Sequence, residues 1–172
     1  MAAEFSLMNI FYTNNNPAQC AREHCTIHTR KMIIEYAQML STAHRVLDGD
    51  KQADEFNMYK KTHMNHPSAK WVRESKKNYW WLYVSFVSLC NIYENATGRA
   101  HKTSRLTVPL GIIPTNIPDA EFTEPPMAMP DEFKTENVKE SYKSYIKSKY
   151  SDWSTRKRKM KVEWYGPTPE WV

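Results

Sequence analysis

The chain has 172 residues, a formal net charge of +5, and 41% hydrophobic and 13% aromatic residues, with only four glycines. This length fits one domain with a buried core, and the shortage of glycine disfavours a Gly-rich phosphate-binding loop. No apolar run approaches the roughly 18 to 20 residues that cross a bilayer, and no signal-peptide pattern is present. Three cysteines exclude a complete disulfide framework and favour a reducing compartment. We therefore expect a soluble, cytoplasmic protein without a membrane partner.

The N-terminal region divides at Met8. Residues 1–7 differ in character from the rest of the chain and are interpreted as a cloning remnant, so that residues 8–172 form a single globular domain. A natural start at Met8 opens on NIFYT, which reads as a short strand. Asn16 then suits a helix N-cap with Pro17 at the first helical position, and we expect this first helix to run to about Arg45.

The rest of the chain is predicted to be mainly helical. The sequence DGDKQADE, residues 48–55, indicates a loop. A second long helix is expected from Pro67 to about Glu94 and a shorter one from Thr135 to about Tyr150, whereas six prolines between Leu106 and Pro130 predict an irregular segment. The predicted fold class is mainly α: a compact helical domain with two long core helices, a short N-terminal strand-like segment and a Pro-rich, irregular C-terminal half.

A narrow polar stripe marks the first predicted helix. At about 100° per residue, six side chains fall within an arc of roughly 80° bordered by apolar residues; they are His24, His28, Lys31, Glu35, Gln38 and Thr42. The face assigned to solvent carries Thr26, Arg30, Ala37, Ser41 and His44. Because a buried ionisable group without a partner is strongly destabilising, an inward stripe is either a paired structural network or the lining of a functional cleft.

A second wall of polar and aromatic side chains is predicted between Thr62 and Trp81. It begins at a helix N-terminus, where free backbone N–H groups favour an anion. The two tryptophans that flank Asn78 in projection form either an aromatic slot or a plain core, and Arg73 either clamps a phosphate or pairs with Glu74. A turn at Gly98 brings further basic residues. The candidate substrate or phosphate contacts from this part of the chain are His63, Asn65, Trp71, Arg73, Asn78, Trp81, His101 and Lys102.

Two chemistries suit these residue types. In the first, Glu35, Lys31 and His66 carry out acid/base or imine chemistry, because a lysine desolvated beside other cations loses its proton more easily. The first helix then adds substrate or phosphate contacts from His24, His28, Arg30 and Gln38. In the second, a transition metal is held by His24, His28, His63 and His66, although histidine spacings of three and four are a weak signal. No cofactor is therefore predicted.

Positive charge is concentrated near the C-terminus. Between Lys139 and Lys161 there are nine Lys or Arg residues and two acids. Such a segment is either a solvated face or a contact surface for a polyanion such as nucleic acid. The aromatic stretch from Trp164 to Trp171 is a possible surface for a protein partner.

Several strings of the sequence resemble a family of small phage and bacterial proteins. They include HCTIHTRKMIIEYAQMLSTAH, YKKTHMNHPSAKWVRESKKNYWWL, LCNIYENATGRAHK and MAMPDEFK, and the resemblance extends over nearly the whole chain from Met8. Some similar proteins are assigned as pyrimidine-dimer DNA glycosylases, small helical repair enzymes that excise a damaged base and then cleave the strand. The resemblance implies a phage-type, DNA-binding hydrolase or lyase acting in the cytoplasm of an infected or bacterial cell.

The resemblance also implies roles for particular residues. Glu35 is similar to the glutamate that such glycosylases carry on their first helix, and Arg30 and Lys31 beside it would contact phosphates. The attacking amine would belong to one of Met8, Lys31, Lys61 or Lys102. The wedge that replaces a nucleotide taken out of the stack would be Trp71, Tyr79 or Trp81.

Two other functions are left open by the sequence. A nucleotide- or phosphate-metabolite-binding enzyme of phage nucleic-acid metabolism would use the same residues and bind duplex DNA weakly. A non-enzymatic protein that binds a host factor would use the polar stripe as a structural network. In that last case Glu35→Gln changes stability and abolishes no turnover.

Overall fold

The structure, a computed structural model, describes residues 8–172, and the interpretation of residues 1–7 lies outside them. Within this range there are seven α-helices and no β-strand, which confirms the mainly α fold class. The helices are α1 (Pro17–Arg22), α2 (Thr26–Asp48), α3 (Lys51–Glu55), α4 (Pro67–Val72), α5 (Lys76–Thr97), α6 (Thr107–Leu110) and α7 (Val138–Thr155). Short 3₁₀ turns span Lys102–Leu106 and Asp131–Phe133. No helix of residues 8–172 has the length and apolarity to traverse a bilayer.

Helices α2 and α5 form the centre of the domain, as the sequence predicts for its two long helices. They pack against each other and bury Met32, Leu40, Leu82 and Phe86 completely. Helix α7 joins this core through Tyr142, whose hydroxyl donates to the Pro126 carbonyl and so fastens the Pro-rich segment. Apart from helix α6 and the 3₁₀ turns, the region between α5 and α7 is irregular, as its prolines predict.

Both long helices are shorter at their N-termini than predicted, because each predicted helix is interrupted near its start. The first break leaves His24 outside α2, and the second separates α4 from α5. In each case a side chain caps the new helix: Cys25 Sγ accepts from the His28 N–H, and Ser75 Oγ accepts from the Asn78 N–H. The first N–H groups of α2 and α5 donate instead to the distant carbonyls of Glu163 and Pro118, 2.8 and 2.9 Å away.

The predicted N-terminal strand is wrong. Residues 9–13 have no regular secondary structure and are buried in the core. Their polar groups bond to isolated partners: Asn9 Nδ2 donates to the Ala128 carbonyl at 3.0 Å, and the Phe11 N–H donates to the Tyr36 hydroxyl at 3.1 Å. The predicted loop over residues 48–55 contains α3. Helix α7, which corresponds to the shorter predicted helix, ends at Thr155, beyond the predicted Tyr150.

The prediction of which face of α2 meets solvent is also largely wrong. Only Arg30 is exposed, whereas Thr26, Ala37, Ser41 and His44 are buried. Small side chains on this face allow neighbouring helices to approach closely, and His44 Nε2 finds the Tyr79 hydroxyl at 2.9 Å. The face that does reach solvent carries Arg30, Lys31 and Ile34, with Ile27 and Gln38 half-buried.

The C-terminal half of α2 is held by Arg45, which is 4% exposed. Its guanidinium donates to the carbonyls of Tyr59 and Met58 at 2.7 and 2.9 Å, and to the carboxylates of Asp50 and Asp54 at 3.0 and 2.8 Å. One side chain therefore closes the loop that leads from α2 through α3 towards α4.

We expect Arg45→Gln to lower the free energy of unfolding by about 2–4 kcal/mol, because it leaves buried carbonyls without donors. The control is Lys60→Gln. Lys60 also pairs with Asp54, at 3.1 Å, but is exposed, so its loss should change stability by less than about 1 kcal/mol. Urea unfolding followed by circular dichroism measures the stability of both variants. Equal losses of stability would contradict the role given to the buried Arg45 guanidinium.

Candidate active site at Glu35

Glu35 is the one acidic side chain that α2 buries; its residue is 7% exposed. The Lys31 ammonium lies 3.7 Å from Oε1, and the Asn9 backbone hydrogen-bonds the carboxyl. Oε2 has no hydrogen-bond partner within residues 8–172. A buried polar atom in this condition is uncommon in folded proteins and calls for a functional or chemical reason.

The surroundings of Glu35 raise the pKa of its carboxyl from 4.5 to about 7. Burial is the main cause, since it disfavours the charged form, and the positive charge of Lys31 and the Asn9 hydrogen bond oppose it in part. A carboxyl with a pKa near neutrality can both give and take a proton at physiological pH, as a general acid or base must.

Lys149 on α7 adds a second perturbed group, which the sequence reasoning missed. Partial burial lowers the pKa of its ammonium from 10.5, and the nearby charge of Lys31 lowers it further. The Nζ atom lies 4.6 Å from the centre of the Tyr145 ring, and its charge also acts on Glu35 and His28. An amine that loses its proton more easily than usual is a better nucleophile.

The two histidines of the predicted stripe are buried parts of the wall behind Glu35. Burial is the main cause that lowers the pKa of His28 well below 6.5, and its ring packs at 4.4 Å from Phe11 and 5.1 Å from Trp153. Burial likewise lowers the pKa of His24 to about 4. His24 lies between the Cys20 carbonyl and the Tyr36 hydroxyl, at 2.8 and 3.1 Å. Both rings are therefore neutral at physiological pH, and His24 is held by protein partners.

A basic surface lies beside the N-terminus of α2. It surrounds an open cavity of about 760 Å³ and is formed by Arg30, Arg156, Lys157, Arg158, Lys159 and Lys161. Within residues 8–172, Glu163 is the only acid that lines the cavity. Below, these six cations are called the basic surface. Lys31 directly follows Arg30 of this surface on α2, and Lys149, on α7, comes seven residues before Arg156. The arrangement concentrates positive charge at the start of α2, which favours a polyanionic ligand there.

The segment after the basic surface is anchored to the start of α2. The Thr26 N–H donates to the Glu163 carbonyl at 2.8 Å. Trp164 Nε1 donates to the Glu23 carbonyl at 3.0 Å, and Trp171 Nε1 donates to the Glu23 carboxylate at 2.9 Å. The aromatic C-terminal stretch, predicted as a surface for a protein partner, thus makes these contacts within the chain.

The second predicted wall meets α2 away from Glu35. Thr42 Oγ1 accepts from the Thr62 N–H at 3.3 Å, and Thr42 is seven residues, or about 10 Å of helix, beyond Glu35. Gln38 lies half-buried between the two positions. The structure therefore brings Lys31 and Glu35 together and leaves the segment around His66 at the far end of the stripe.

Most polar residues of that wall bond to the protein itself. His66 Nδ1 accepts from the Ser68 N–H, and His101 Nδ1 accepts from the Thr103 N–H, so each histidine caps the turn that comes after it. Arg73 donates to the carbonyls of Met64 and Ala69 and does not pair with Glu74. His63, Asn65 and Lys102 are exposed or at the surface.

Asn78 and its two tryptophans form a bonded core. Asn78 Nδ2 donates to the Trp71 carbonyl at 3.0 Å, and its Oδ1 accepts from the Thr123 N–H. Trp71 Nε1 donates to the Thr123 carbonyl, and Trp81 Nε1 donates to the Asn15 carbonyl. These amide and indole groups are occupied in holding the Pro-rich segment and the N-terminal turn.

The proposed histidine metal site is not assembled. Among the described residues, no three His, Cys, Asp or Glu side chains come close enough to share an ion. His24 and His28 lie in the core beside Phe11, whereas His63 and His66 lie in the segment that leads to α4.

Comparison of the chain with protein-family models, with curated proteins and with solved structures finds no match. The function therefore has to be inferred from the geometry and chemistry of the site itself.

The raised pKa of Glu35 predicts a pH-dependent effect of Glu35→Gln on stability. The protonated carboxyl stabilises the folded state fully below pH 4.5, and this contribution is lost as pH rises through about 7. We expect the variant and the wild type to be similar near pH 4.5, and the variant to be more stable by up to about 3 kcal/mol near pH 8.5. Urea unfolding at both pH values measures the difference.

Glu55→Gln, at an exposed position of α3, is the control for this experiment. It should change stability by the same small amount at both pH values. A Glu35→Gln effect that is constant across the range would show that the pKa of the carboxyl is the same in the folded and unfolded states, contrary to the prediction.

Proposed function

We propose that the protein is a DNA-processing enzyme, a base-excision glycosylase and lyase that acts on damaged or modified pyrimidines. The observation that carries the proposal is the Glu35 carboxyl, buried with one unpaired oxygen and a pKa of about 7, next to two amines. Of the five buried side-chain atoms that lack a partner within residues 8–172, this oxygen is the one that belongs to a carboxyl. The resemblance to pyrimidine-dimer glycosylases supports the same chemistry: they carry a glutamate on their first helix, and Glu35 lies on α2, the first of the two long helices.

In this proposal a lysine amine is the nucleophile. Lys149 has the lowered pKa, and Lys31 lies 3.7 Å from the carboxyl. The amine bonds to C1′ of the damaged nucleotide as the bond from C1′ to the base breaks, and the base leaves with the bonding electrons and a proton from Glu35. The nitrogen then loses its protons, and its electrons displace O4′ from C1′, which opens the sugar ring. O4′ takes a proton, and an imine joins the lysine nitrogen to C1′.

Glu35 then acts as a base. Its carboxylate removes a proton from C2′, the 3′ phosphate leaves with the electrons of its bond, and water hydrolyses the imine to free the lysine. One residue thus serves as acid and then as base, which requires a pKa near the working pH. The Lys31 ammonium, 3.7 Å from Oε1, stabilises the carboxylate in the second step while Lys149 is held in the imine.

The basic surface supplies the contact to the DNA backbone. Lys and Arg side chains bind phosphates without reading sequence, and binding that rests on them weakens as salt rises. Arg30, the member of this surface on α2, comes five residues before Glu35, or about 7.5 Å of helix rise, which is the distance that a bound backbone has to bridge to present a flipped nucleotide to the carboxyl. A base-excision enzyme needs this kind of contact because the lesion, and not the sequence, selects the target.

Nicking of supercoiled plasmid tests the proposal. We expect the wild type to nick ultraviolet-irradiated plasmid faster than untreated plasmid, in chelator as well as with added divalent metal. Glu35→Gln should slow nicking by about 10²- to 10⁴-fold, the usual contribution of a general acid or base, while Glu55→Gln retains full activity. The absence of nicking under all conditions sinks the proposal, and nicking that requires metal but not damage indicates a nuclease.

Borohydride reduction of the imine identifies the nucleophile. We expect the wild type to give a covalent adduct with irradiated DNA, and Lys149→Met to lose it, because Lys149 is the α7 amine whose charge acts on Glu35. Lys147→Met, which removes an exposed lysine two positions earlier on α7, should keep it. An adduct that persists in Lys149→Met and maps by mass spectrometry to Lys31 or to the chain's terminal amine would reject Lys149 as the nucleophile.

A further inference from the structure

A large groove opens at the start of α5, away from Glu35. Its volume is about 810 Å³, within the range of roughly 300–1,000 Å³ that is usual for small-molecule sites. The first turns of α5 form one side, the Pro-rich segment around Phe122 forms another, and Tyr12 and Lys139 close the end towards α7. Below, it is called the α5 groove.

The walls of the α5 groove are aromatic. Tyr12 and Trp81 have ring centres 5.4 Å apart, and Phe122 lies 6.3 Å from Trp81 and 6.4 Å from Tyr12. Trp80 stands beside this cluster with 46% of its surface exposed. Tyr83 packs against one side of this indole, with ring centres 5.1 Å apart, and nearly half of the residue's surface stays exposed. An exposed indole is a stacking surface for a flat ring.

The charges in the groove are opposite to those that stabilise a helix start. Lys76 and Lys77 occupy the first turn of α5, which contains no acid, although the positive end of the helix dipole disfavours cations there. Lys76 has no ion-pair partner within residues 8–172, while Lys77 pairs with the exposed Glu121. Three lysines and one glutamate line the groove. Lys139 pairs with that glutamate, Glu124, at 3.9 Å, so Lys76 supplies the positive charge that favours an anion at the start of α5.

The spacing of these features suits one kind of ligand. Trp80 comes four residues after Lys76 and three after Lys77, so all three side chains lie on one side of the helix within one turn. A flat ring on Trp80 would therefore have two ammonium groups within reach of a substituent. A purine or pyrimidine with a phosphate on its sugar has this combination of a flat ring and an anion.

We propose that the α5 groove is a binding site for a 5′-mononucleotide, with the base stacked on Trp80 and the phosphate held by Lys76 and Lys77. This site is distinct from the one around Glu35. Lys139, at the edge of the α5 groove, and Lys149, beside Glu35, are ten residues apart on α7, or about 15 Å along its axis. Nucleotide binding in the groove therefore does not depend on the proposed glycosylase activity.

Isothermal titration of the full chain with the four ribo- and deoxyribonucleoside 5′-monophosphates tests the proposal, with the matching nucleosides and inorganic phosphate as probes of each half. We expect saturable binding of at least one monophosphate at one site per chain. The nucleoside and phosphate alone should each bind at least about tenfold more weakly, since each lacks one of the two contacts. No saturable binding of any monophosphate overturns the proposal.

Matched variants locate the site. Trp80→Ala and the double variant Lys76→Gln/Lys77→Gln should each weaken binding by at least about tenfold, with folding checked by circular dichroism. Phe56→Ala and Lys51→Gln remove an exposed aromatic ring and an exposed lysine at α3, and should have no effect. Binding that is unchanged in Trp80→Ala places the nucleotide elsewhere and overturns the proposal.

Two further outcomes separate this site from its competitors. Glu35→Gln should bind the nucleotide as the wild type does, and loss of binding in that variant would assign the nucleotide to the Glu35 site instead. A single-stranded oligonucleotide that binds through Trp80 while no mononucleotide binds would identify the groove as a nucleic-acid contact and reject the small-molecule ligand.

Discussion

Helix α2 is enclosed over most of its circumference, and its polar side chains must therefore find partners inside the protein. Most do: His44 meets the Tyr79 hydroxyl, Thr42 meets the backbone of Thr62, and Arg45 bonds to two carbonyls and two carboxylates. These contacts determine where the loop after α2 and the start of α4 lie. The Ser41 hydroxyl and one Glu35 oxygen lack partners within residues 8–172, and of these two groups only Glu35 can become charged.

This contrast gives Glu35 its significance. A buried neutral hydroxyl without a partner is a modest loss, whereas a buried carboxylate without one is expensive enough to alter its protonation. The pKa of the Glu35 carboxyl is raised, and two cations from different helices, Lys31 and Lys149, act on it. Because Lys149 comes from α7 and Lys31 from α2, the environment of the carboxyl depends on the packing of these two helices.

The sequence predicts those features that local chemistry determines. Asn16 and Pro17 begin a helix, Pro67 begins another after the His66 cap, and the prolines after Leu106 keep the chain irregular. It also singles out Glu35 through the polar stripe. It does not predict the breaks before α2 and α5, because the carbonyls of Glu163 and Pro118 that receive the first N–H groups lie far away in the chain. Lys149 is missed for the same reason, since only the tertiary packing distinguishes it from the other lysines of α7. The face of α2 that contains Ala37 and Ser41 is misassigned because small residues are compatible both with solvent and with close helix packing.

The anchoring of the chain on both sides of the basic surface has a consequence for how that surface binds. The run from Arg156 to Lys161 comes directly after α7 and is fixed at its other end by the bond from the Thr26 N–H to the Glu163 carbonyl and by Trp164. A basic tail that is free in solution loses conformational entropy when it meets a polyanion, and this loss weakens binding. Here much of that ordering has already occurred during folding. A polyanion bound there would meet a preformed template, held in place by Trp164 and by backbone contacts outside the six cations.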